Sequence, residues 1–217
     1  MNREHTERVV REALGDRLLL RHPFYQRWEA GDLSAAELAR YAEQYRHIEA
    51  VLPTVLETIS SSLDPGRAKD LVEENLADER GMPTAHLALF EGFAARTGAR
   101  PSAPAEPATA ELVAVQTDAA RRSPAAGIAA LAAYECQAAD IATSKADGLR
   151  RHYGMDALGT WFWDVHGALE DRHADWSLEA LALLGAGDDE VSRQVAAAAS
   201  AWWEFLDERE AAAVAVG

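Results

Sequence analysis

Asp164-Val165-His166-Gly167-Ala168-Leu169-Glu170-Asp171-Arg172-His173 is the stretch on which the fold turns. A helix advances about 100° per residue, so His166, Glu170 and His173 fall within roughly 60° of one another, on one stripe two turns long. Two imidazoles and a carboxylate make the mixed nitrogen and oxygen set that suits redox-active iron or manganese. Buried without a metal, the same groups would be costly to desolvate. An exposed polar face is the plainer alternative. Trp161, Phe162, Val165 and Leu169 share the segment, so part of it is expected to pack inside.

Working outward, the rest of the chain also reads as helix. Alanine, leucine, glutamate and arginine dominate its 217 residues, and few stretches alternate as strands do. The expectation is all-α, with about seven helices in a single domain over residues 1–217. Ser34-Ala35-Ala36-Glu37 looks like a capping box and opens a long helix to about Ser61. A first helix is expected to run to about residue 20 and to end before His22-Pro23. A helix to Arg80 meets Gly81 and Pro83, which break it before the pattern resumes. Pro124 opens a helix to about His152, and another runs from about Asp156 to Leu184. A last helix starts at Asp188 or Asp189.

The formal net charge of −15 argues against nucleic acid and against anionic membranes as partners. No run approaches the ~18 apolar residues of a membrane span. The polar start Met1-Asn2-Arg3-Glu4-His5 carries no secretory signal, and the lone Cys136 suits a reducing compartment. A cytoplasmic location is expected. Trp202 and Trp203 fit either a homodimer interface or the core.

A ferritin-like bundle would need two Glu-x-x-His pairs, and Glu170 to His173 is the only one. Other ligands must come from elsewhere. His86 is the best remaining histidine. Glu79 lies seven residues before it, on the same face only if the helix survives Gly81 and Pro83. Glu135 is embedded in Ile128-Ala129-Ala130-Leu131-Ala132-Ala133-Tyr134, where an unpaired charge is expensive. A metal would satisfy it, and so would an arginine or Lys145.

Taken together, Glu79 with His86, Tyr134-Glu135-Cys136-Gln137 leading to Lys145, and His166-x3-Glu170-x2-His173 resemble the haem-oxygenase-like di-metal oxidases. These share their fold with thiamin-degrading and PQQ-forming enzymes. His22-Pro23-Phe24-Tyr25 and the Tyr41 to Glu49 stretch look like the same family. Glu170 stands where an Asp is usual, one methylene longer. The resemblance implies Glu79, Glu135 and His166 around one metal, with His86, Glu170 and His173 completing the pair. It implies two iron ions, or iron and manganese, with O2 and an external reductant.

Within the family the chain looks most like the chlamydial members and bacterial relatives that make p-aminobenzoate from their own tyrosine. That likeness implies Tyr25 as the sacrificed ring, Tyr41 on the radical route, Tyr134 as a further catalytic position matching the family, and Lys145 as amino donor. Other members act on an external small substrate, by N-oxygenation of an amine or by oxidative cleavage of a fatty or amino acid. Two further readings are a thiaminase-like hydrolase using Cys136 and a metal-free interaction module.

Overall fold

A computed structural model describes residues 2–81 and 84–214, with the side chains of 168–171 and of 213–214 outside the described set. Among the described residues there are nine α-helices and no strand: α1 (Arg3–Leu14), α2 (Pro23–Ala30), α3 (Ala35–Ser61), α4 (Arg67–Arg80), α5 (His86–Thr97), α6 (Pro107–Arg122), α7 (Pro124–His152), α8 (Ala157–Leu184) and α9 (Asp188–Val214). The all-α expectation holds, with more helices than the seven expected. The first helix is also shorter. It stops at Leu14, because Gly15 turns the chain at φ 53°, and only a short 3-10 turn at Leu19–Arg21 follows.

Local signals set the other boundaries. The Ser34 side chain accepts from the Glu37 N–H while Glu37 reaches back to the Ser34 N–H, so the capping box forms in full. Ser123 caps α7 in front of Pro124, and Asp156 caps α8 by accepting from the Gly159 N–H.

Helices α7 and α8 pack along each other, with α6 and α9 also against α7 and α4 and α5 against α8. Helix α3 lies over α4, α5 and α6. Close approach between α2 and α7 depends on Gly148, where an added Cβ would meet Trp28 Cδ1 at 2.9 Å. The Trp28 indole N–H then donates to the Lys145 carbonyl at 3.2 Å.

Two apolar clusters form the core. One is wholly aliphatic among its buried members, with Val10, Ile59, Leu71, Leu178 and Leu181. The other is aromatic, with Phe24, Tyr25, Trp28, Tyr41, Tyr45, Phe90, Phe93, Phe162, Trp163, Trp202 and Phe205. Helices α3, α6, α7, α8 and α9 run through both. Trp202 is buried, whereas Trp161, expected to help bury the His166 segment, is 49% exposed. The inward faces of α8 are instead held by Phe162 and Trp163 on the next two positions.

Candidate metal centre

Glu79 ends α4 and His86 begins α5, and the break between them is what brings them together. Gly81 adopts φ 51°, and a Cβ there would lie 2.0 Å from the Thr84 carbonyl oxygen, so the reversal requires glycine. The helix does not continue, yet His86 Nδ1 comes to 3.1 Å from Glu79 Oε2. That nitrogen is fully buried and lies off the line of a hydrogen bond. Ligand atoms of Glu79, His86 and His166 all lie within 4.8 Å of one another, and all three side chains are buried. This trio draws on both metals of the division that the resemblance implied.

The imidazoles are turned for coordination. His166 Nδ1–H donates to the Phe162 carbonyl at 2.8 Å, which leaves the lone pair on Nε2. His173 is turned the other way. Its Nε2–H faces the Asp78 carboxylate at 3.4 Å, and Nδ1 lies 3.9 Å from Glu79 Oε1. The His86 ring centroid is 4.5 Å from that of His166 and 6.3 Å from that of His173. Burial pushes the Glu79 carboxyl up, but close contact with His86 and the electrostatic influence of the His86, His166 and His173 rings outweigh it and hold it below the ordinary carboxylate value. Lone pairs on carboxylate and imidazole converging in a buried space fit a bound cation.

Glu135 reaches the same space from α7. Its Oε1 accepts from Asn75 Nδ2 at 2.9 Å, and its Oε2 accepts from the Ser177 hydroxyl. Glu79, Glu135, His166 and His173 share the wall of a cavity of about 30 Å³ with Glu49, Tyr45, Tyr134 and Trp202. Glu170 lies on α8, and its side chain is outside the described residues.

Beyond the cavity the tyrosines line up. Tyr45 donates its hydroxyl to Tyr134 at 2.9 Å, and its ring stacks on Tyr41 at 5.4 Å. The Tyr41 and Tyr25 hydroxyls are 2.9 Å apart. Lys145, 1% exposed, donates from Nζ to the Tyr41 hydroxyl at 2.6 Å. Burial pushes the Tyr25, Tyr41 and Tyr45 phenols well above their ordinary range, so they are neutral at physiological pH. Tyr45, Glu49, Asn75, Ser177 and Trp163 were not singled out from sequence as site residues. Tyr45 sits one turn after Tyr41 on α3, a spacing that places both rings on one face.

The thiol reading fares differently. Burial and the neighbouring Glu135 charge push the Cys136 thiol up to about 12, far from nucleophilic. It opens on a separate groove with Arg3, Arg11 and Asp175.

The haem-oxygenase-like family described as iron-containing redox enzymes matches residues 39–207. The chain belongs to that family. This iron-containing redox enzyme is 35% identical to a 4-aminobenzoate synthase of Nitrosomonas europaea, over 91% of this chain and 88% of the relative. It is 31% identical to a 4-aminobenzoate synthase of Chlamydia muridarum, over 87% and 83% of the two chains. Among solved structures, a TenA homologue from Pseudomonas syringae superimposes with a TM-score of 0.80 at 14% identity, covering 95% of this chain and 91% of its own. A CADD-like protein of unknown function from Nostoc punctiforme gives 0.75 at 19% identity, over 95% and 97%. Those two likenesses establish the fold. No helix among the described residues is long and apolar enough to cross a membrane.

Proposed function

We propose that this redox enzyme makes p-aminobenzoate from its own Tyr25, with Lys145 supplying the nitrogen. The observation that carries the reading is the placement of Lys145. Its amine is sealed from solvent, bonded to Tyr41 and 4.7 Å from the centroid of the Tyr25 ring. The ring and Cβ of a tyrosine supply every carbon of p-aminobenzoate, and the product's nitrogen stands where the phenol oxygen stood. A C–N bond must therefore form at that ring carbon as its C–O bond breaks. The Lys145 Cε–Nζ bond and the Tyr25 Cα–Cβ bond must also break, with O2 as oxidant and an external reductant. The names carried by the relatives point the same way.

In this reading Glu79, Glu135, His86, His166, Glu170 and His173 hold two metal ions, either two irons or iron with manganese. Such a centre supplies oxidising power drawn from O2. The chain's own residues do the rest. Phe162 and Asp78 fix the imidazole tautomers, and Asn75 and Ser177 orient Glu135. Tyr134 and Tyr45 span the gap from the cavity to Tyr41, and the aromatic core excludes water around Lys145.

An external-substrate oxygenase is the second reading. The cavity among the described residues holds about 30 Å³, the scale of one or two waters, so that reading requires the site to open further for an added amine or fatty acid. Reduced, iron-loaded protein exposed to O2 is expected to give no more than a single product per chain, with matching loss of protein mass. Tyr25→Phe should end product formation and keep the metal. Unchanged mass with many turnovers of an added amine or fatty acid would establish the second reading instead.

A further inference from the structure

Of the 21 Lys and Arg residues, only Lys69 and Lys145 are lysines. Lys69 is partly exposed beside Glu73, whereas Lys145 is enclosed by rings. Its Nζ lies 4.1 Å from the centroid of Trp163, 4.7 Å from Tyr25, 4.8 Å from Tyr45 and 5.0 Å from Tyr41. The nearest face is thus that of a residue to which the reaction gives no task. Trp163 is 1% exposed, and its indole N–H makes no hydrogen bond among the described residues. Burying that donor unsatisfied is unfavourable, and a phenylalanine would fill an apolar site without the loss. What tryptophan alone adds is the most electron-rich face of any side chain, and a cation stands over it.

We propose that Trp163 is a positioning residue that holds the Lys145 amine against the Tyr25 ring. The inference rests on Lys145 as nitrogen donor. An unbranched lysine side chain has several rotatable bonds, and without a fixed face its nitrogen would sample positions away from the ring. Trp163 fixes it on the same rigid helix that carries His166, three residues or about 4.5 Å further along the axis. One helix therefore sets both the metal face and the place of the amine. Tyr45 closes a further side of the cage and Tyr41 binds the nitrogen directly.

The test compares wild type, W163L and W163F, iron-loaded and reduced under anaerobic conditions, each checked for metal content and helicity. Amine acylation is followed by peptide mass, with Lys69 as internal standard, before any O2 is admitted. In W163L, Lys145 should label roughly thirtyfold faster, the factor expected when a desolvated cation–π contact is lost. After O2, its p-aminobenzoate per chain should fall by a similar factor at equal metal content. W163F keeps a weaker face, so its labelling should rise about threefold and its yield should lie between the other two. Should W163L fail to fold, W163F carries the same comparison. A role limited to filling space would raise Lys145 labelling only as far as each variant's loss of stability, measured by denaturant unfolding, raises the population of opened chains, and that result overturns the proposal. Full product from W163L alongside product from wild type overturns it too. Wild type that makes no p-aminobenzoate overturns the reading beneath it and the role of Trp163 together.

Discussion

The two halves of the core are made of different chemistry. The cluster shared by α1, α4, the end of α3 and the first half of α7 buries only aliphatic side chains, while the one shared by α2, the start of α3, α5 and the second half of α7 buries a continuous mass of rings. The candidate metal cavity lies on the seam, lined by Leu131 from one and by Tyr45, Ile48 and Trp202 from the other. Alkyl groups resist one-electron oxidation, whereas phenols and indoles yield to it. An oxidising centre on that seam has mostly alkyl groups on one side, where Trp176 stacks on His173, and the hydrogen-bonded tyrosines on the other. What separates the two sides is that chain of phenols.

The largest expected effect strikes the seam itself. His166→Ala should abolish binding at one metal site at least, since a methyl cannot replace an imidazole donor. Metal analysis after anaerobic Fe(II) loading checks it, and two metals per chain in the variant would remove His166 from the ligand set. The next pair separates the halves. Leu71→Ala, on the aliphatic side, should cost about 2–5 kcal/mol of stability and leave product per folded chain unchanged. Lys145→Met, on the aromatic side, should end product formation with the melting temperature held or raised, because a buried charge gives way to an apolar chain of similar length. Equal loss of activity from both changes would erase the distinction.

A smaller effect concerns His22, which is fully buried at the start of α2. Its Nδ1 accepts from the Phe24 N–H at 3.1 Å, and its Nε2–H donates to Asp207 at 3.0 Å. Burial lowers its pKa below the ordinary histidine value, against the opposing pull of Asp207 and Glu210. The unfolded chain therefore takes up the proton first, and stability should fall as pH drops below about 6.5, by no more than about 1.4 kcal/mol per pH unit. Melting curves of His22→Asn, which can still cap α2, should show a flatter pH dependence than wild type. The smallest effect is Ser34→Ala, about 1 kcal/mol from loss of the capping box, with no change in product.

Much of this was legible where chemistry is local. The Ser34 capping box marked the start of α3 and Pro124 that of α7, because a cap that satisfies a free N–H and a proline whose fixed φ suits a first turn are signals within four residues. The end of α1 was not, since Leu18-Leu19-Leu20 imitates a helix face beyond Gly15. Glu79 and His86 were legible as a pair, but by spacing along a helix that in fact breaks, and the glycine that breaks it brings them into contact. Glu135 was expected beside either a metal or a cation; Asn75 and Ser177 are neutral donors from α4 and α8 that no spacing along α7 could reveal. Tyr45 and Trp163 were missed because an aromatic residue in a helix reads as core. They are core, and only the position of Lys145 gives them a further meaning.

Tyr25 is 2% exposed and packed against Phe24, Trp28 and Tyr41. If its ring leaves as proposed, each molecule that has done its work carries a ring-sized hole where α2 meets the core, a loss comparable to Phe→Ala at about 3–5 kcal/mol. That is a large share of a typical domain's stability. Used copies would unfold and be cleared by cellular proteolysis sooner than unused ones, so the population would discard its exhausted members through the defect that exhaustion leaves behind.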